Sequence, residues 1–193
     1  MSIKKLLITM AVAAVLIVPA AGFSDTIAEG ERLGKTCAGC HGTAGNTPGT
    51  YIGKIGGQNS AYMSKVLKEF SADKRPASVE MSIVAKGYSD IQLESVAAYY
   101  ASLKWVNSDN PVDSKKILAG KAMASDNGCL DCHGIKGEGI GEFPRIGGQN
   151  KGYLYEVMKR YRSGDISSDE MSMLSDFSDD QLDQLANFFS GIR

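Results

Sequence analysis

Two short stretches concentrate the reactive side chains of this chain. "CAGCHG" (37–42) and "CLDCHG" (129–134) hold all four cysteines and both histidines of a 193-residue sequence. In each, two cysteines three positions apart fall on one side of a helical turn, and a histidine follows the second. Cys-x-x-Cys-His is the attachment pattern of c-type haem. Both sulfurs reach the vinyl groups of one porphyrin, and the adjacent histidine turns a ring nitrogen toward the iron. Cys37, Cys40 and His41 are therefore expected to hold one haem, and Cys129, Cys132 and His133 a second. Other chemistries fit less well. Zinc knuckles separate their two CxxC halves by about 15–20 residues, whereas 88 residues lie between Cys40 and Cys129. A thioredoxin-like pair needs a βαβ setting, and a plain disulfide leaves both histidines unexplained.

A closed electron-transfer haem needs a second axial ligand. With every histidine and cysteine used, methionine is the remaining donor. Met1 and Met10 fall in the N-terminal segment. Met63 and Met158 sit on amphipathic stripes, and Met123 precedes the second attachment motif, so these three read as core. Met81, Met171 and Met173 remain, all expected in a loop ahead of the final helix of their copy. Met81 is the expected ligand in the first copy. The repeated "EMS" favours Met171 in the second, and Met173 stays open as its alternative. His/Met ligation raises the reduction potential relative to bis-histidine, as suits a carrier.

A duplication organises the elements that must position these groups. "CAGCHG" returns as "CLDCHG" after 92 positions, "IGGQN" (55–59) after 91, "EMS" (80–82) after 90, and "SDIQL" (89–93) as "SDDQL" after 89. Four markers in one order describe a repeated unit with single-residue deletions. Each copy reads as helical. Met63, Val66, Leu67 and Phe70 form a stripe echoed by Leu154, Val157, Met158 and Tyr161. Capping boxes at Ser89/Gln92 and Ser178/Gln181 open the last helices, whose stripes are Leu93, Val96, Ala97, Tyr100 and Leu182, Leu185, Ala186, Phe189. Alternating β patterns are absent. Units this small and rich in glycine loops have little core of their own, which a large apolar cofactor would supply. The expected organisation is a signal peptide (1–24), a first unit (25–103), a linker (104–113) and a second unit (114–193).

Lys4, Lys5, the apolar run 6–18 and small residues near 20–24 have the layout of a secretory signal peptide. The expected product is periplasmic, with no integral membrane segment after cleavage. The formal charge of −1 argues against nucleic acid as a partner. Residues 105–193 carry 10 basic and 14 acidic side chains, so the second half is the more acidic.

With these motifs in place, the chain resembles the dihaem cytochrome c4 family: all-α, two tandem class I cytochrome c domains, each with a covalently bound haem c. In that family a proline carbonyl holds the proximal histidine. Pro144 of "PRIGGQ" matches it, while the first copy has Gly53, which leaves the partner of His41 open. Gly30 and Gly120 match the point where first and last helices cross, facing Tyr99 or Tyr100 and Phe188 or Phe189. Residues 73–90, "DKRPASVEMSIVAKGYSD", also resemble the Met-loop region of cytochrome subunits of flavocytochrome c sulfide dehydrogenases. The resemblance implies a carrier of single electrons in a respiratory or sulfur-oxidation chain. It also implies redox-protein partners: a donor such as a sulfide dehydrogenase flavoprotein, and an oxidase or another cytochrome as acceptor. A haem enzyme, peroxidase or thiosulfate-oxidising, is the alternative of another class. It is disfavoured because such enzymes need an open iron and commonly recruit a further His or Cys, and none is spare.

Overall fold

The structure, a computed structural model, describes residues 21–76 and 78–193. Most of the expected signal peptide, residues 1–20, lies outside the described residues. Both copies follow one helix order. The first runs α1 (Ala21–Gly34), α2 (Ala38–His41), α3 (Ser60–Ser71), α4 (Val79–Ala85) and α5 (Asp90–Ser102). The second runs α6 (Ser114–Asp126), α7 (Cys129–His133), α8 (Lys151–Ser163), a 3-10 stretch at Ser172–Asp176 and α9 (Asp179–Gly191). No strand occurs among the described residues.

The last helices carry the core. Ser89 and Ser178 each close a complete capping box with Gln92 and Gln181, which satisfies two orphan N–H groups at each helix start. From that start Leu93, Val96, Ala97 and Tyr100, and Leu182, Leu185, Ala186 and Phe189, all turn inward and are at most 3% exposed. The first helix of each copy crosses the last at a glycine. A Cβ on Gly30 would lie 1.9 Å from the Ser95 carbonyl oxygen, and one on Gly120 2.1 Å from that of Gln184. Tyr99 and Phe188 are the aromatics that meet these glycines. Of the α3 stripe only Met63 is buried, whereas α8 buries Leu154 and Met158.

The expected Met loop is different in the two copies. Met81 lies within helix α4 rather than in a loop, because "VEMSIVA" contains no glycine or proline to break the winding. The second copy is one residue shorter between "EMS" and its capping serine. There the chain winds as a 3-10 stretch instead, which takes fewer residues for each turn.

The repeated "IGGQN" loops join everything else. The second glycine has left-handed backbone in both copies, φ +76° at Gly57 and +72° at Gly148. Its N–H donates to the end of the last helix, Gly57 to the Tyr100 carbonyl and Gly148 to that of Phe189, both at 2.8 Å. The glutamine that follows reaches into the opposite copy. Gln149 accepts from Lys54 N at 2.8 Å and donates to Lys54 O at 2.9 Å. Gln58 accepts from Arg145 N at 2.7 Å and donates to Arg145 O at 2.8 Å. The asparagines cross as well, Asn150 to the carbonyls of Gly49 and Ile52, and Asn59 to that of Gly141. The two copies are thus bound face to face by a pseudo-twofold set of side-chain-to-backbone bonds.

Residues 103–113 form no helix or strand, yet they are not a free tether. Ser108 N donates to Gly148 O at 2.6 Å, Ser108 Oγ to Asn150 Oδ1 at 2.7 Å, and Asp113 N to Asn187 Oδ1 at 2.8 Å. The Arg145 guanidinium lies over the Trp105 ring at 5.3 Å. The strap is therefore fastened to the second copy.

One local asymmetry has a steric cause. Tyr153 enters the first copy, its N–H donating to Thr50 O at 2.9 Å. Its ring then lies against Gly53, where a Cβ would stand 2.8 Å from Tyr153 Cζ. Any residue larger than glycine at position 53, proline included, meets that ring.

Two outcomes are expected. Gly30→Val or Gly120→Val places carbon inside backbone contact distance and should lower the stability of the haem-loaded protein by at least about 1–3 kcal/mol, read as a fall in Tm. Gly53→Ala should cost about 1–3 kcal/mol by the same overpacking. Thermal unfolding of the double variant with Tyr153→Ala should show most of the Gly53 cost gone, because the two residues touch and their effects are not additive.

Candidate haem sites

Each attachment motif sits on a short helix immediately after a longer one. In the first copy α1 ends at Gly34 and a 3-10 turn, Lys35–Cys37, leads into α2, so Cys37 and Cys40 fall on successive turns. In the second, Gly128 at φ +67° turns the chain from α6 into α7, which spans Cys129 to His133. A glycine of positive φ ends both helices, Gly42 at 77° and Gly134 at 84°. None of the four cysteines is in a disulfide. Burial pushes the Cys37 and Cys129 thiols above their ordinary pKa.

Both histidines are oriented through the same ring atom. His41 Nδ1–H donates to Gly53 O at 2.7 Å, and His133 Nδ1–H to Pro144 O at 3.0 Å. Glycine thus supplies in the first copy the carbonyl that proline supplies in the second. These bonds leave Nε2 as the nitrogen for a metal, and anchoring the other ring nitrogen is how metal-bound histidines are fixed in tautomer and direction. Burial holds both imidazoles below their ordinary pKa, an effect only partly offset by the carbonyl bonds. The neutral ring is the form that ligates metal. The Phe143 ring stands edge-on to His133, with centroids 6.4 Å apart.

The three methionines differ in setting. Met171 is half-buried and, like Cys129, packs against the core cluster that includes Leu154 and Leu174. Met173 is 38% exposed. Met81 is half-buried on α4 and is not among the residues of the first copy's core cluster or those packed against it, which include Cys37.

The donor chemistry fits a c-type haem. Two cysteines outside any disulfide, one neutral imidazole with Nε2 available and a half-buried thioether are present in each copy. Exposed apolar side chains border these groups along the chain, Ile83 and Val84 after Met81, and Ile135 and Ile140 after His133. The residues that sequence reasoning passed over are Gln58 and Gln149. The recurrence of "GGQ" in both copies was their only signal, and it does not say where the side chains go.

Several known proteins are similar to this chain. A family model described as cytochrome c matches residues 117–192. A cytochrome c4 of Pseudomonas aeruginosa is 30% identical over 151 residues, 74% of this chain and 74% of that protein. The crystal structure of reduced recombinant cytochrome c4 from Pseudomonas stutzeri superposes with a TM-score of 0.78 at 26% identity, covering 88% of this chain and 99% of the other. The cytochrome subunit of sulfide dehydrogenase from Chlorobaculum tepidum is 37% identical over 82 residues, 42% of this chain and 73% of that protein. With its two Cys-x-x-Cys-His motifs and duplicated helical architecture, the chain belongs to the cytochrome c4 family, dihaem electron carriers with covalently bound haem c.

Proposed function

We propose that this protein passes single electrons between redox proteins in the periplasm, through two sites with one ligand logic. Cys37 and Cys40 would tether one haem, with His41 and Met81 as the ligands of its iron. Cys129 and Cys132 would tether the other, with His133 and Met171. The observation that carries this reading is that each motif's histidine is held through Nδ1 by a backbone carbonyl, with Nε2 left for iron. When bound, a c-type haem supplies reversible one-electron exchange at its iron. The protein's part is to hold the imidazoles neutral and fixed in direction, and it would offer the iron a thioether of low basicity as well. Covalent tethering keeps the cofactor in place in units with little core. Met171 is favoured over Met173 because it is half-buried against the same core cluster that Cys129 packs on, while Met173 turns outward.

The unit boundaries that fit this reading are 25–103 and 114–193, joined by 104–113. Export rests on the N-terminal layout of Lys4, Lys5 and the apolar run that follows. No described helix is long and apolar enough to cross a membrane.

A more specific reading makes the chain the electron-accepting subunit of a sulfide dehydrogenase. The likeness to a relative of that name favours it, as does the character of residues 73–90. In this reading a flavoprotein docks on the first copy beside Met81, where Val79 and Ile83 are 62% and 68% exposed. The acceptor, an oxidase or another cytochrome, meets the more acidic second copy.

Two measurements test these assignments. In the ferric protein, Met81→Ala and Met171→Ala should each remove about half of the weak red-edge sulfur–iron band, since each copy contributes one His/Met site. Loss on Met173→Ala in place of Met171→Ala would reassign the second ligand. Sulfide should reduce the haems rapidly only when the flavoprotein is present. A permanent complex, with an interface on the order of 2,000 Å² or more, should keep that rate as salt rises. A transient encounter should lose rate as charges are screened. No acceleration by any flavoprotein leaves a general carrier.

A further inference from the structure

Gln149 and Gln58 do more than join the two copies. Gly53 C=O and Lys54 N–H belong to one planar peptide unit. Its oxygen accepts from His41 Nδ1 at 2.7 Å, and its N–H donates to Gln149 Oε1 at 2.8 Å. The mirror unit joins Pro144 and Arg145. Its oxygen accepts from His133 Nδ1 at 3.0 Å, and its N–H donates to Gln58 Oε1 at 2.7 Å. Both glutamines are buried, Gln149 at 2% and Gln58 at 5% exposed. Each is held by a second bond to the same residue, from Nε2 to Lys54 O or Arg145 O. Each Oε1 also accepts from the next residue's N–H, Asn150 or Asn59, at 2.8 Å.

We infer that each glutamine is a positioning residue for the histidine of the opposite copy, polarising the peptide whose carbonyl holds that ring. Hydrogen bonds in a chain strengthen one another at low local dielectric. Donation from Lys54 N–H to Gln149 places more negative charge on the Gly53 oxygen, and so strengthens its bond from His41. A histidine with a stronger Nδ1–H bond is the more basic ligand and stabilises ferric over ferrous iron. Each copy therefore lowers the reduction potential of the other's haem through one buried side chain. The inference rests on His41 and His133 being the axial ligands.

The chain has two histidines, so 15N-histidine labelling of the reduced holoprotein gives one ring N–H signal per copy, with that of His133 identified by its contact with Phe143. Gln149→Leu should shift the His41 signal upfield and raise the midpoint potential of the first copy's haem, followed through the same histidine, with smaller effects on the second copy. Gln58→Leu should do the reverse. Two haems retained with no shift, equal shifts in both copies, or a shift confined to the copy that carries the substitution overturns the inference. Should the leucine variants load fewer than two haems, Gln149→Glu keeps an acceptor of greater charge at the same place. It should move the His41 signal downfield and lower the first haem's potential more than the second's, and any other pattern overturns the inference. A count below two haem c, or no methionine–iron band, in the unsubstituted chain would overturn the ligand assignment and this inference with it, and so is distinguishable from an uncrossed shift.

Discussion

Each "IGGQN" loop is hydrogen-bonded on three sides, and those bonds fix what lies around it. Gly57 and Gly148 bind the end of the last helix. Just upstream, the carbonyls of Gly53 and Pro144 hold the histidine rings. Downstream, Gln58 and Gln149 bind the backbone of the opposite copy. A backbone amide buried without partners costs about 1–3 kcal/mol, so a buried loop of this kind is stable only when each neighbour is in place. The core helix, the histidine of the attachment motif and the partner copy therefore share one support.

That arrangement explains how two units of modest size form a defined structure. Their own apolar cores are small and centre on α5 and α9. Much of what holds the copies together is polar and directional. Side-chain amides contact backbone groups, which they can do with either Lys54 or Arg145 as the residue touched. This tolerance has a physical basis, since only the peptide group of that residue takes part in the bond.

The copies nevertheless differ where they meet. Tyr153 lies over Gly53, so the first copy forgoes the proline found in the second and keeps only its carbonyl. The Met segment differs too, α-helical around Met81 and 3-10 after Met171. The two haem-attachment sites thus stand in unequal surroundings, and unequal surroundings are what separate two potentials in one chain.

Much was legible in the sequence because the chemistry is local. Cysteines three apart with an adjacent histidine specify haem attachment from five residues, and the capping boxes and apolar stripes of α5 and α9 follow from helical periodicity alone. The duplication was visible as four markers in constant order. Other features depend on residues far apart in the chain, and only the tertiary structure decided them. Gly53 as the acceptor for His41 requires a loop returning 12 positions later. The glutamine contacts join residues 87 and 95 positions apart. That Tyr99 and Phe188 meet the glycines was set by how the first and last helices pack. Met81, expected in a loop, became helical because no breaker interrupts its segment. Covalent patterning and periodicity are written along the chain, but the partner of a buried polar side chain is set by whichever backbone folding brings to face it.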